Sequence, residues 1–140
     1  MSKTVIVYWS ASGNTEAMAN AIKEGAPSAD LFSVSDISAG TAAEYDNLIL
    51  GCPAMGSEQL EEAEFEPFYE ELKPMLSGKN VALFGSYDWG DGEWMRNWAG
   101  DVKAAGANLV NDEGLIANNA PDDDAVAACK ALGEKVAALS

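Results

Sequence analysis

The sequence contains no histidine, only two cysteines and few basic residues. Without histidine, the chain offers neither a histidine metal site nor a Ser-His-Asp triad. Its two cysteines, Cys52 and Cys129, cannot form a CxxC motif or a zinc cluster. Eight basic residues stand against 23 acidic ones, which gives a net charge of −15 at pH 7. Because such a polyanion is repelled by nucleic acid and by anionic lipid, we expect no nucleic-acid partner and no membrane partner.

Long apolar runs are also missing from the sequence. The apolar stretch after Lys3 stops at Ser10, which is too short for the hydrophobic region of a signal peptide or for a membrane span. We therefore expect a cytoplasmic protein whose cysteines are reduced. A length of 140 residues, with 48% hydrophobic and 22% charged residues, is typical of one globular domain.

Apolar runs alternate with stretches of helical periodicity along the chain. The runs predict strands at Thr4–Trp9, Leu31–Val34, Asn47–Gly51, Asn80–Gly85 and Asn108–Ala117, the last one broken at 111–114. The periodic stretches predict helices at Thr15–Gly25, Glu64–Leu76, Glu93–Ala105 and Asp122–Leu139, with Gly25 as a C-terminal cap. This alternation predicts an α/β domain with a doubly wound parallel sheet of about five strands and helices on both faces. Since such sheets bind ligands at the carboxyl ends of their strands, loops 10–14, 53–59 and 86–92 are the candidate site.

The first of these loops, Ser10–Thr15, opens the first predicted helix. Backbone N–H groups in such a turn lie beside the positive end of the helix dipole and bind anions. Ser10, Ser12, Asn14 and Thr15 add neutral donors, and the loop contains no lysine or arginine. It matches neither the nucleoside-triphosphate motif nor the dinucleotide motif, and it suits a single terminal phosphate. A plain polar turn that caps a helix would explain the same residues, so both interpretations stay open.

The other two loops combine apolar side chains with glycine. Met55 follows the third strand, and Gly56 lets the next peptide adopt more than one orientation, although a glycine turn with methionine in the core explains both residues. Trp89 lies between Asp88 and Gly90, where stacking on a flat ligand competes with packing in the core. Together the three loops fit one phosphate and one planar ring, which is the shape of FMN.

Four motifs resemble the short-chain flavodoxins of anaerobic bacteria, in order and over nearly the whole chain. They are Tyr8–Thr15 (YWSASGNT), Leu50–Glu58 (LGCPAMGSE), Glu64–Phe68 (EFEPF) and Leu83–Met95 (LFGSYDWGDGEWM). The resemblance implies one flavodoxin-like α/β domain over residues 1–140, with five parallel strands in the order 2-1-3-4-5 and FMN at the point where the strand order reverses.

The resemblance also implies roles for individual residues. Met55 and Trp89 would sandwich the flavin ring, and Glu58 would accept a hydrogen bond from its N3. The peptide after Gly56 would flip, so that the Gly56 carbonyl accepts from N5 of the reduced ring. Backbone at Asp88 and Trp89 would meet N1 and O2. The residues implied to contact FMN are Ser10, Ala11, Ser12, Gly13, Asn14, Thr15, Pro53, Ala54, Met55, Gly56, Ser57, Glu58, Ser86, Tyr87, Asp88, Trp89, Gly90 and Asn119.

Two residues depart from the family pattern. Ala11 stands where glycine is usual, which is tolerable if its φ is negative. Asp88 stands where glycine is frequent, and aspartate tolerates left-handed backbone better than most residues. We expect the Asp88 carboxylate to lower the potential of the second reduction step, because the resemblance implies that it would lie close to N1 and O2.

The function implied by the resemblance is that of a low-potential one-electron carrier, not an enzyme, which cycles FMN between semiquinone and hydroquinone. Seven glutamates between positions 58 and 71 predict both a solvated helix face and a docking surface for redox partner proteins with basic surfaces. We expect a monomer, with both cysteines buried and unreactive. The alternative is a flavin-dependent NAD(P)H:quinone reductase-like enzyme on the same fold.

Overall fold

A computed structural model of the chain describes residues 3–11, 13–55, 60–88, 92–111 and 114–139. Its strands are β1 (Thr4–Tyr8), β2 (Asp30–Ser33), β3 (Asn47–Gly51), β4 (Asn80–Tyr87), β5 (Asn108–Leu109) and β6 (Leu115–Asn118). Its helices are α1 (Asn14–Gly25), α2 (Ala39–Ala42), α3 (Phe65–Leu72), α4 (Glu93–Ala104) and α5 (Asp123–Ala137), with 3₁₀ turns at Val34–Asp36 and Lys73–Met75. Within these ranges, none of the helices combines the length and the apolar character that crossing a membrane requires.

The strands form one parallel sheet in the order β2-β1-β3-β4-β5, and β6 pairs with β4 farther along the same edge. The predicted doubly wound order is therefore confirmed. Between β5 and β6, Asn111 replaces the missing strand: its Oδ1 accepts from the Leu83 N–H at 3.1 Å, and its Nδ2 donates to the Leu83 carbonyl at 2.8 Å. The predicted break in the last strand is thus bridged by one side chain, which keeps both backbone groups of Leu83 paired.

Alternate residues of the central strands enter separate cores on the two faces of the sheet. On one face, Val5, Leu48 and Val81 pack with the apolar sides of α3 and α4. On the other face, Ile6 and Ile49 pack with α1 and α5. Both faces of the sheet are covered, which explains why these strands are apolar without alternation.

The amino ends of four strands are joined by a chain of side-chain hydrogen bonds. Asn47 donates to Thr4 Oγ1 at 3.2 Å, Asn80 donates to Asn47 Oδ1 at 2.9 Å, and Asn108 donates to Asn80 Oδ1 at 2.8 Å. The four residues are register partners across the sheet. This polar row lies at the amino edge of the sheet, opposite the edge that carries the predicted loops.

Two details of the predicted helices are wrong. Gly25 lies inside α1 and does not cap it, since the C-cap is Ala26. A Cβ on Gly25 would lie 2.0 Å from the Lys130 carbonyl oxygen, so this glycine permits close contact between α1 and α5. The helix predicted to run to Leu76 ends at Leu72, and Met75, which follows it, is 38% exposed. The helix changes to a 3₁₀ turn at Lys73, and the rotation per residue changes with it.

Candidate functional site

The carboxyl ends of β1, β3 and β4 enclose a cleft of about 330 Å³. It lies where the strand order reverses, because β1 is flanked by β2 on one side and by β3 on the other. The cleft is lined by Trp9, Ser10, Ala11, Asn14, Thr15, Pro53, Ala54, Met55, Ser86, Tyr87, Asp88 and Asn119. All of these except Trp9 belong to the predicted set. The fold therefore brings together residues from three distant loops, and their contact with a flavin stays a prediction.

The start of α1 forms one end of the cleft. Gly13 has a left-handed backbone, with φ of 93°, and turns the chain into the helix. The Ser10 hydroxyl oxygen accepts from the N–H groups of Gly13 at 3.1 Å and Glu16 at 3.3 Å. Thr15 is buried, and its Oγ1 lies 2.9 Å from Oγ of buried Ser86, so α1 and β4 meet through two hydroxyls.

The chemistry of this end suits a phosphate bound by neutral groups. The described lining offers hydroxyls, amides and backbone N–H groups next to the positive end of a helix, and none of the lining residues is basic. A nucleoside triphosphate usually requires a lysine in such a loop, whereas one terminal phosphate does not. The residues present therefore fit the phosphate of a mononucleotide.

Close contact between β3 and β4 shapes the other end of the cleft. A Cβ on Gly85 would lie 2.2 Å from the Cys52 carbonyl oxygen, so only glycine allows this approach. The same carbonyl accepts from Trp94 Nε1 at 3.1 Å. The Ala54 N–H donates to the Ser86 carbonyl at 3.0 Å. Half-buried Met55 lines the cleft next to Ala54 and supplies an apolar surface for a planar ring.

The two departures from the family pattern cause no left-handed strain. Among the described residues other than glycine, Asn119 has a positive φ, at 58°, and neither Ala11 nor Asp88 does. Asparagine is one of the residues that tolerate this conformation. The Asn119 N–H donates to the Tyr87 carbonyl at 2.7 Å, which brings the end of β6 to the rim of the cleft.

Six predicted contact residues lie outside the described part of the chain. They are Ser12, Gly56, Ser57, Glu58, Trp89 and Gly90. The second wall of the ring sandwich, the acceptor for N3 and the peptide flip all depend on them, and these roles stay predictions.

Glu61 is a buried structural residue between β3 and α3 that was not predicted from the sequence. It is 7% exposed, and its carboxylate accepts from the N–H groups of Ala63 at 2.9 Å, Glu64 at 2.7 Å and Phe65 at 2.9 Å. Burial favours a raised pKa for this carboxyl, but the bonds from Phe65, Glu64 and Ala63 outweigh burial and hold its pKa below the usual range. Glu61 therefore stabilises the turn that leads into α3, whose N-cap residue is Glu64. No local pattern distinguished Glu61 from the six other glutamates of its run.

Both cysteines are fully buried, as predicted. Burial raises the pKa of Cys52 to about 12 and the pKa of Cys129 to about 11. A thiol with such a pKa stays protonated at neutral pH, so neither is a nucleophile. In the described ranges, no group of three or more Cys, Asp or Glu residues is placed to hold a metal ion.

Comparison with known proteins supports the geometry. Residues 6–131 match the family model described as Flavodoxin. The chain is 48% identical over 136 residues to the flavodoxin of Megasphaera elsdenii, a match that covers 94% of this chain and 96% of the relative. It is also 48% identical over 136 residues to the flavodoxin of Clostridium beijerinckii, with 94% of this chain and 97% of the relative covered.

A solved structure gives the same result for the fold. The solution structure of two-electron reduced Megasphaera elsdenii flavodoxin superposes with a TM-score of 0.84 at 43% identity, and the match covers 96% of this chain and 98% of that one. The family model, the near full-length relatives and the superposed fold all indicate the same family. The chain belongs to the flavodoxin family, whose members are FMN-dependent electron-transfer proteins and not enzymes.

Proposed function

We propose that this protein is a low-potential one-electron carrier that holds FMN non-covalently in the cleft at the carboxyl edge of the sheet. One observation carries the proposal: a phosphate-type donor set and an apolar surface meet in one cleft of about 330 Å³. When bound, FMN supplies chemistry that accepts and releases single electrons. The described residues determine how tightly it is held and how much its potential is shifted.

The start of α1 would hold the phosphate. Thr15 and Ser86 are buried and fixed against each other, so their hydroxyls lose little freedom when they bind a ligand. Asn14 and the backbone of 11–15 would supply further donors at the positive end of the helix. The absence of a basic residue in the described lining suits a carrier, because a cation there would favour a more negative flavin and raise its potential.

The acidity of the chain would lower the potential of the step that makes the flavin anionic. A single carboxylate at about 10 Å contributes roughly 0.4 kcal/mol in a water-like dielectric. Five such groups would contribute about 2 kcal/mol, which corresponds to roughly 90 mV for one electron before screening by salt. Apolar contact by Met55 would act in the same direction, because it excludes water from the negative ring.

The central test is a titration of the FMN-free protein with FMN and with riboflavin, which lacks the phosphate. We expect the wild type to bind FMN far more tightly than riboflavin and to be reduced by dithionite in two separate one-electron steps. Failure to retain FMN at micromolar concentration would refute the proposal. Bleaching of the bound flavin by NAD(P)H would instead favour the reductase-like enzyme.

Thr15→Val should separate the contribution of the phosphate to FMN affinity from the contribution of the ring. Loss of one hydrogen bond to a charged group should weaken FMN binding by about 10- to 100-fold. Riboflavin affinity should stay within about twofold, since the ring end is unchanged. Thr41→Val, which removes an exposed hydroxyl on α2, is the matched control. An equal loss of affinity for both ligands would show that Thr15 acts through the fold and not on the phosphate.

Redox partners with basic surfaces would dock on an acidic face formed by α3 and the turn before it. Its exposed glutamates are at 66, 70 and 71 on α3 and at 62 just before the helix, which follows the segment that carries Met55. Together with a net charge of −15, they would attract a cationic partner and speed its association at low salt.

The docking proposal is tested with cytochrome c as a basic electron acceptor. The rate of its reduction should fall steeply as salt is added, and Glu66→Gln/Glu71→Gln should flatten this dependence. Glu44→Gln/Glu134→Gln removes the same charge from exposed positions near the amino edge and serves as the control. If the control variant flattened the salt dependence as much as the α3 variant does, total charge, and not this face, would govern the rate.

A further inference from the structure

Trp9 lies where the cleft adjoins a second cavity. Its N–H donates to the Gly51 carbonyl at 3.0 Å, so its backbone continues β1 beside β3. Trp9 lines the cleft that holds Thr15 and Met55 and, together with Ser10 and Ala11, a neighbouring cavity of about 470 Å³ that includes Tyr8 and Glu64. Open space therefore adjoins Trp9 in both cavities.

A side-chain hydrogen bond joins the Trp9 indole to Glu64. Trp9 Nε1 donates to Glu64 Oε1 at 3.2 Å, between residues 55 positions apart in the chain. A bond to a carboxylate is stronger than one between neutral groups. Without it, the adjoining cavity would give the indole a second place to lie, because a side chain next to a void can change rotamer at little cost.

Glu64 is itself fixed by the structure behind it. Its N–H donates to Glu61 Oε1 at 2.7 Å, and its carbonyl accepts from the Phe68 N–H at 3.3 Å. The N–H of Glu61 in turn lies 3.3 Å from Cys52 Sγ at the end of β3. A continuous chain of contacts thus runs from β3 through Glu61 and Glu64 to the indole on β1.

We propose that Trp9 is a wall of the flavin site between its phosphate end and its ring end, and that Glu64 is the positioning residue that holds the indole there. The inference rests on the proposed function, since it assumes that FMN occupies this cleft. Trp9 lies next to Ser10 in sequence and lines the same cleft as Met55, so it would contact the part of a bound mononucleotide that joins phosphate and ring. Glu64 acts only through Trp9.

The test compares two substitutions that remove the same charge. Glu64→Gln keeps an acceptor for the indole, whereas Glu64→Leu does not. We expect the dissociation constant for FMN to be about three- to tenfold higher in Glu64→Leu than in Glu64→Gln. The same pair of substitutions at Glu24, which is exposed near the far end of α1, should give a ratio of one. A ratio of one at Glu64 as well would overturn the proposal.

Two further measurements separate positioning from a general structural role. In protein labelled with 5-fluorotryptophan, the Trp9 resonance, assigned from Trp9→Phe, should shift or broaden in FMN-free Glu64→Leu and not in Glu64→Gln. In the Trp9→Phe background, Glu64→Leu and Glu64→Gln should bind FMN equally, since the N–H that Glu64 accepts from is gone. An undiminished difference in that background would overturn the role of Trp9.

The failure of this inference is distinguishable from failure of the proposed function. If the wild type retained no FMN, both the proposed function and the role of Trp9 as a wall would be refuted. If the wild type bound FMN tightly and the fluorotryptophan signal of Trp9 did not change on substitution of Glu64, only the further inference would be refuted.

Discussion

Replacing Gly133 with alanine should destabilise the protein by about 3 kcal/mol, because α5 would be forced away from α1. A Cβ on Gly133 would lie 2.2 Å from the Ile22 carbonyl oxygen and 3.1 Å from the Ala26 nitrogen. Both are backbone atoms, so no side chain can rotate to relieve the clash. The approach of α1 to α5 is just as close at a second glycine, since a Cβ on Gly25 in α1 would clash with the Lys130 carbonyl oxygen in α5. The two helices therefore pack backbone against backbone through this pair of glycines.

Gly100→Ala is the matched control for this prediction. Gly100 lies inside α4, and a Cβ there meets nothing within 4 Å. Alanine favours a helix over glycine by about 1 kcal/mol, so this variant should be more stable than the wild type. Urea denaturation of both FMN-free variants gives the comparison. If Gly133→Ala were also stabilised, helix propensity would outweigh the contact between α1 and α5, and the close packing would be refuted.

Much of the fold can be predicted from the sequence, because buried parallel strands have a distinctive composition. β1 and β3 are apolar without alternation, since both faces of the sheet are covered, and their predicted bounds agree with the structure to within one residue. The short helix α2 and the 3₁₀ turns were not predicted. Four residues make only one helical turn, which is too short for periodicity to show.

The role of Gly25 shows where local patterns fail. A glycine that follows the last apolar residue of a helical pattern indicates a C-terminal cap. That rule depends on the sequence of the helix alone. In the structure, the reason for Gly25 is a second helix more than one hundred residues later in the chain. Close approach between distant elements requires knowledge of their crossing, which a single sequence does not contain.

The candidate site also has a part that local sequence patterns predict and a part that they do not. Its loops could be located from the sequence, because strand ends in an open sheet bind ligands and because hydroxyl and glycine residues mark an anion site. Trp9 and Glu61 were missed. The partner of the Trp9 indole is 55 positions away, and Glu61 resembles its exposed neighbours until burial distinguishes it. Residues that bind a ligand leave a local signal, whereas residues that hold them in place act over long range.

Glu61→Gln should cost about 3 kcal/mol of stability at pH 7, the second large effect expected here. The substitution keeps the shape but removes the charge that accepts three backbone N–H groups at the start of α3. Hydrogen bonds to a buried charge are worth about 1.5–3 kcal/mol each, and an amide can satisfy only part of this set. Glu71→Gln, exposed on the same helix, should change stability by less than about 0.5 kcal/mol.

The cost of Glu61→Gln should also depend on pH in a defined direction. The folded-state pKa of Glu61 is held below its usual range, so its contribution is fully present above the pKa of the unfolded chain, about 4.3. That contribution is lost as pH falls through the lower folded-state pKa. Urea midpoints of the wild type and Glu61→Gln should therefore differ most near pH 7 and converge in acid. A difference that stayed constant down to the acid limit would mean that the Glu61 carboxylate charge does not stabilise the turn before α3.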